Sequence, residues 1–355
     1  MKRVCVLLRS LAHGGAEKQA LLLVLALRAR HAVELVVLDE EPRSARHLAF
    51  LEEHGLAATF LRGGRAGKLL ALRRLLARRR VEALFCFLPS DTLLGALAGR
   101  LAGVPRIHGG LRNARLAPRK ERVLRWVHNH LSHATISNSH AAVEHFAARG
   151  FARERFRVIA NGIFLRPPRA PRAQGGPVTI LWLGRLVPEK DPRAALEALR
   201  RARAAAPAGL ELRLCLAGFG PLAEVLRGWI DELGLAGAVE LVLDPGEPEA
   251  LFERADLFLS TSHFEGLSNS ILEAMNASLP VVATDVGDNA RLVREGVSGH
   301  LAPAGDVERL AARLLELARD AERRRRFGAA AHEHLSRHHS FEVFRGAYEV
   351  LLEEG

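Results

Sequence analysis

The sequence predicts an α/β chain made of two tandem doubly wound domains. Three observations carry this reading. Short apolar runs alternate with longer amphipathic stretches from end to end. The series runs twice, interrupted by a stretch rich in Pro and Gly. The length, 355 residues, is too great for one ordinary core and suits two domains. Runs that are apolar throughout, without alternation, mark strands buried on both faces, as in a parallel sheet covered by helices.

In the first half the strand candidates are Val4–Leu8, Val33–Leu38, Thr59–Leu61, Leu84–Leu88, Arg106–Gly110, Ala134–Ser137 and Arg157–Ile159. Helical periodicity fills intervals such as Glu17–Ala29, Gly67–Arg79 and Thr92–Ala102. Pro167, Pro168, Pro171, Gly175, Gly176 and Pro177 then crowd into eleven residues and read as a linker. A second series follows, with strands expected at Thr179–Leu183, Glu211–Ala217, Val239–Leu243, Leu257–Ser260 and Val281–Thr284. Helices are expected at Asp191–Ala205, Leu222–Leu233 and Asn269–Ala277. The tail from Asp306 to Glu354 reads as helical throughout, with Ser340 as an N-cap before Phe341. The domains are therefore set at 1–166 and 178–337, joined by 167–177. Residues 338–355 form a last helix that packs back on the first domain. Ligands of doubly wound sheets bind beyond the carboxyl ends of the strands, so the tandem domains are expected to face each other across a cleft.

Composition excludes several classes. Apolar residues make up 48% and charged residues 26%, which rules out disorder and collagen. The longest apolar run, Ala20 to Leu27, is far short of the roughly 20 residues of a membrane span. The N-terminal run is broken by Arg9, His13 and Glu17 and reads as a buried strand, not a signal peptide. Cys5, Cys86 and Cys215 each sit in an apolar run, as buried hydrophobes of a reducing compartment. The expected location is cytoplasmic. Trp126 and Trp182 are expected in the core. His338 and His339 lack partners at metal spacing, and no metal site is assigned.

The net charge of +11 is unevenly spread. Residues 1–166 hold 29 Lys and Arg against 12 Asp and Glu; the remainder holds 22 against 28. The basic half suits an anionic membrane surface, a phosphorylated acceptor or nucleic acid. A solvated Arg-rich surface is the plain alternative. No aromatic residues interleave its arginines in a recognition motif, so nucleic acid is not the expected partner.

Three segments could carry chemistry. His13-Gly14-Gly15-Ala16-Glu17 ends the first strand and opens a helix. Paired glycines let a ligand approach the backbone, and helix N–H groups suit a phosphate; a plain tight turn fits the same residues. Next, Arg185 ends a strand and Lys190 follows five residues later, before Asp191 and Pro192 open a helix. A guanidinium fork and an ammonium point charge suit a diphosphate; an ordinary strand–loop–helix junction also fits. The third segment runs from Ser262 through Glu265, Gly266, Leu267, Ser268 and Asn269 to Glu273 and Met275. Ser268 is a credible N-cap, and the glutamates can accept hydrogen bonds from sugar hydroxyls while helix N–H groups take phosphate.

Together these segments, with Ile159-Ala160-Asn161-Gly162 before the linker, resemble the retaining glycosyltransferases of family 4. The resemblance covers nearly the whole chain. It implies the GT-B fold, two Rossmann-like domains facing across a cleft. It further implies an acceptor domain first and a nucleotide-sugar donor domain second. Arg185 and Lys190 would hold the donor diphosphate, Glu273 the ribose, and Glu265 the donor sugar beside the reacting carbon. Gly266, Leu267, Ser268 and Asn269 would line the donor, and Gly14 and Gly15 would close on it. Many members carry a histidine after the fourth or fifth strand, a place that His108 would fill; a buried residue of the strand itself is the plain alternative. Arg112 and Asn113 would face the acceptor. The Glu-Gly-Leu-Ser-Asn segment is similar to that of members making bacterial surface polysaccharides and lipid-linked oligosaccharides, several of which use UDP-sugars. Members usually work without a catalytic metal, and no Asp-x-Asp occurs here.

The expected function is hexosyl transfer from a nucleotide-diphosphate sugar, with a UDP-sugar favoured, to a glycan or lipid-linked acceptor with retention. The enzyme would sit in the cytoplasm or peripherally on the inner face of the membrane. The alternatives are a nucleotide-sugar epimerase of the same fold, a nucleic-acid-binding module, and an inactive partner subunit. The last rests on Asp288, which replaces a second glycine after Asp285-Val286-Gly287.

Overall fold

The computed structural model describes residues 1–12, 14–112, 116–169, 176–246 and 248–354. The chain divides into two units, Met1–Gly162 with Phe341–Gly355, and Ile163–Ser340.

The first unit runs β1 (Arg3–Leu8), α1 (Gly15–Arg28), β2 (Ala32–Val37), α2 (Ala45–Glu53), β3 (Ala58–Phe60), α3 (Arg65–Arg78) and β4 (Ala83–Cys86). It continues with α4 (Pro89–Leu101), β5 (Arg106–Leu111), α5 (Pro118–His130), β6 (Ala134–Ser137), α6 (His140–Ala147) and β7 (Phe156–Val158). Its seven strands are ordered β3-β2-β1-β4-β5-β6-β7, and the strand pairs are parallel. Apolar strands without alternation thus became a sheet with helices on both faces, as the pattern predicts.

The second unit runs β8 (Val178–Arg185), α7 (Pro192–Ala204), β9 (Leu212–Phe219), α8 (Ala223–Glu232), β10 (Val239–Leu243), α9 (Glu249–Arg254) and β11 (Leu257–Ser260). Then come α10 (Asn269–Asn276), β12 (Val281–Thr284), α11 (Asn289–Leu292), β13 (Gly299–Ala302), α12 (Val307–Arg319) and α13 (Ala321–His339). Its parallel sheet has the order β10-β9-β8-β11-β12-β13.

The last helix, α14 (Phe341–Glu353), returns to the first unit. The reason lies in α1. Its run Ala20–Leu27 is apolar on every side, so one sheet face cannot cover it. Phe344, Tyr348, Leu351 and Leu352 of α14 join Leu21, Leu22, Leu23 and Val24 in one buried cluster. Each such side chain contributes on the order of 2 kcal/mol by leaving water. The Asn161-Gly162 step fits beneath this joint. Gln19 donates to the Gly162 carbonyl and accepts from its N–H, both at 2.9 Å. A Cβ on Gly162 would lie 2.5 Å from Phe344 Cβ, so only glycine fits.

The tail is helical, as expected, with the break before Phe341 at Ser340, which is extended; a second break falls at Asp320, whose side chain accepts from the Arg323 N–H and starts α13 afresh. Strand β13 had no expectation, since Gly299-His300-Leu301-Ala302 carries only two apolar side chains of any size. Trp126 is not in the core: it is 52% exposed on α5, whereas Trp182 is buried. Arg324 donates to the carbonyls of Leu317 and Ala318 and so satisfies the end of α12.

Candidate functional site

In the second sheet, β8 leads through α7 to β9 on one side, while β11 flanks β8 on the other. The chain thus departs in opposite directions from neighbouring strands, which opens a crevice at their carboxyl ends. The segments singled out in the sequence follow these two strands: Arg185 and Lys190 follow β8, and residues 262–273 follow β11.

The loop after β8 is held from several directions. Asp191 adopts a left-handed conformation with φ 45° and caps α7 by accepting from the Ala194 N–H at 3.1 Å. Thr261, just after β11, accepts from the Trp182 indole N–H at 2.9 Å. Its hydroxyl lies 2.9 Å from the Lys190 carbonyl and 2.7 Å from that of Asp191, and donates its one proton there. The His263 N–H donates to the Glu189 carbonyl at 2.9 Å. His263 Nε2 also lies 3.1 Å from an Asp191 carboxylate oxygen. These bonds fix the Lys190 backbone against the β11 loop.

The side chains then meet. The Lys190 ammonium pairs with Glu265, and both are largely buried, their side chains 20% and 11% exposed. The Ser262 hydroxyl donates to the same Glu265 oxygen at 2.8 Å. Arg185 differs. It is exposed at the end of β8, and its side chain makes no hydrogen bond or ion pair among the described residues.

Beyond Glu265 the chain turns through Gly266 and Leu267 into α10. Ser268 caps the helix, accepting from the Ile271 N–H at 3.4 Å and sharing a hydrogen bond with Ser270. This helix start, three residues after Glu265 in the chain, is a positive dipole end. Asn269 opens α10, and Glu273 lies about one turn inside it, half-buried.

Two features that support this loop had not been assigned that role from sequence. Thr261 and Trp182 carry polar atoms that act only through the bonds just described. Gly287, expected only as a turn, has φ 59°, and a Cβ there would lie 2.2 Å from the Glu265 carbonyl oxygen. The Asp288 N–H donates to the Gly266 carbonyl at 3.0 Å. Asp288 is buried before α11, so its backbone braces the Glu265 loop.

The remaining expected residues lie in the first unit. Gly14 precedes α1 with extended backbone, and Gly15 is the first helical residue. Glu17 folds back over Gly14, where a Cβ would stand 2.2 Å from its carboxylate oxygen. Burial pushes the Glu17 carboxyl above its ordinary range. Arg112 follows β5, donating to Asn161 at 2.7 Å and to the Tyr348 hydroxyl at 3.1 Å, with its guanidinium 4.4 Å from the Phe87 ring centre. Asn113 and His13 lie outside the described residues.

Of the two places open to His108, the structure shows the buried one. It lies within β5 and is 3% exposed. Its ring stacks on Phe85 at 4.7 Å, and neither ring nitrogen has a partner among the described residues. Burial pushes its pKa down to about 3. A neutral ring enclosed in the sheet's core cannot reach a substrate.

The comparisons with known proteins agree with this division. Residues 13–166 match the family described as Glycosyltransferase Family 4. Residues 167–334 match the family described as Glycosyl transferases group 1. The chain thus carries a family 4 glycosyltransferase domain followed by a group 1 glycosyltransferase domain.

The chain is 28% identical over 249 residues to the Vi polysaccharide biosynthesis protein VipC/TviE of Salmonella typhi, a stretch covering 64% of this chain and 42% of that protein. It is 34% identical over 149 residues to the amylovoran biosynthesis glycosyltransferase AmsK of Erwinia amylovora, covering 40% of this chain and 36% of the relative. The chain thus spans about two fifths of the length of these relatives. Among solved structures, Anabaena Alr3699/HepE in complex with UDP superposes with a TM-score of 0.84 at 20% identity, both chains covered in full. That likeness shows the GT-B fold. No helix among the described residues is long and apolar enough to cross a membrane. No group of three or more metal-ligating side chains occurs among them.

Proposed function

We propose that this protein transfers a sugar from a nucleotide-diphosphate sugar to a glycan or lipid-linked acceptor in the synthesis of a bacterial surface polysaccharide. The observation that carries the reading is the meeting of Lys190 and Glu265, just ahead of the start of α10, at the switch point of the second sheet. Arg185, at the end of β8, adds a second cation. One crevice thus offers an ammonium, a guanidinium and helix N–H groups for a diphosphate, and a carboxylate for a sugar hydroxyl. A UDP-sugar is the favoured donor; support comes from the UDP and UDP-glucose complexes of the structural neighbour.

In the proposed reaction the bond from the anomeric carbon to the diphosphate oxygen breaks, and a bond from the acceptor oxygen to that carbon forms on the same face. The acceptor's proton passes to the departing diphosphate. Anomeric configuration is retained. Arg185, Lys190 and the α10 N–H groups meet the charge that grows on the leaving oxygen, as preorganised stabilisation in a part-buried site. No metal is required for that charge balance. Glu265 holds the donor sugar, Glu273 the ribose, and Gly266, Leu267, Ser268 and Asn269 line the donor. Gly14 and Gly15 of the first unit contribute backbone to the donor, and Arg112 with Asn113 serve the acceptor. The catalytic role expected of His108 is dropped.

The test is a panel of UDP-, GDP- and ADP-sugars scored by thermal stabilisation, because a ligand of the native state raises its melting temperature. The stabilising donor is then incubated with and without glycan and lipid-linked acceptors, and the product anomer is read by NMR. Transfer with retention supports the proposal. Epimerised donor without an acceptor, or no stabilisation by any sugar nucleotide, contradicts it.

A further inference from the structure

Helices α3, α4 and α5 lie side by side on one face of the first sheet, with Leu72, Leu76, Ala96, Ala98 and Val127 turned into a shared core. Their outer surfaces are unusual for a solvated layer. Leu70 on α3, Leu93, Leu97 and Leu101 on α4, and Val123 and Trp126 on α5 are all exposed, Leu101 and Trp126 by more than half. The three leucines of α4 recur every four residues and form one ridge. Val123 and Trp126 recur at i and i+3 and form another. The three helices carry ten Lys and Arg against two acidic residues, one of which, Asp91, is fully buried. Arg73 donates to the carbonyl of Leu101, and Arg100 to that of Leu131, so cations also tie the layer together.

We infer that this layer is the surface on which the protein rests against an anionic phospholipid membrane. Apolar ridges would enter the acyl boundary, Trp126 would sit at the headgroup level, and the flanking arginines would meet lipid phosphates. Charge complementarity selects this occupant. A second copy docking the same face would oppose two strongly positive surfaces. The inference goes beyond the proposed transfer reaction and does not depend on it.

The test uses the full chain with vesicles of phosphatidylcholine alone or with about one third phosphatidylglycerol. Expected is about tenfold stronger flotation with the anionic vesicles, weakening with salt. Trp126 emission should shift to the blue on binding, a shift missing in Trp126→Phe. The double variant Leu97→Gln with Leu101→Gln alters only exposed side chains and should lose about tenfold in vesicle binding. UDP binding is measured in the same samples, so loss of the membrane contact is distinguished from loss of the donor site. Equal binding to neutral and anionic vesicles would overturn the inference. So would anionic binding with Trp126 emission unmoved, or capture by an acidic protein without any vesicle binding.

Discussion

Lys190 and Glu265 stand 75 residues apart in sequence yet form a part-buried ion pair, each neutralising the other. In the proposed reaction a diphosphate would compete with Glu265 for Lys190. With Lys190 turned to the phosphate, Glu265 would be released to accept from a sugar hydroxyl. On that proposal the pair couples arrival of the diphosphate to readiness of the carboxylate.

This coupling predicts opposite effects on binding and turnover. Glu265→Gln removes the carboxylate that competes for Lys190, so affinity for UDP should rise about tenfold, or about 1.4 kcal/mol. Turnover should fall at least about a hundredfold, because the amide replaces the acceptor at the sugar. Calorimetry and a transfer assay read the two. An affinity that falls with turnover would show that Glu265 assists the diphosphate and does not compete with it.

The two cations should differ in their structural cost. Arg185 has no partner among the described residues, so Arg185→Ala should leave the melting temperature nearly unchanged while weakening UDP binding about tenfold. Lys190→Ala strands Glu265 in a part-buried place, so it should lower both stability and affinity. Equal losses of stability in the two variants would contradict this.

Gly287 supports the Glu265 loop through its backbone. Gly287→Ala must place a Cβ against the Glu265 carbonyl at a left-handed φ. The expected cost is about 3 kcal/mol with impaired UDP binding. Gly305, with φ 82° and open space around it, serves as the control. Gly305→Ala should cost only about 1 kcal/mol and leave binding intact. Similar effects at the two positions would remove the special role of the Gly287 contact.

Much of this site was legible because its parts are local. A strand end, a lysine five residues on and a capped helix start can each be read along the chain. What joins them was not legible. Thr261 links Trp182 to the Lys190 carbonyl across strands that the sequence does not place together, and Gly287 matters only through its approach to Glu265. The expected strand Arg106–Gly110 already contained His108, and β5, at Arg106–Leu111, holds it inside the sheet. Trp126 follows the helical stripe of α5, yet it points outward, because Leu124, Val127 and His128 take the buried side.

His108 gives a pH dependence of known sign. The ordinary pKa of 6.5 drops to about 3 in the folded chain. Below pH 6.5 the unfolded chain binds a proton that the folded one refuses. Stability from this group is thus complete above pH 6.5 and declines as pH falls toward 3, by about 1 kcal/mol at pH 5.5. His108→Phe should flatten that decline and keep transfer within about threefold. An unchanged acid limb, or lost transfer with the fold intact, would return His108 to the chemistry.

The most direct measurement compares UDP with uridine by calorimetry, in the wild-type chain and in the Arg185→Ala, Lys190→Ala double variant. The account predicts that UDP binds at least about a hundredfold tighter than uridine in the wild type. In the double variant most of that advantage should disappear. Equal binding of UDP and uridine by the wild type, or a UDP preference that survives the double variant, would contradict the central claim.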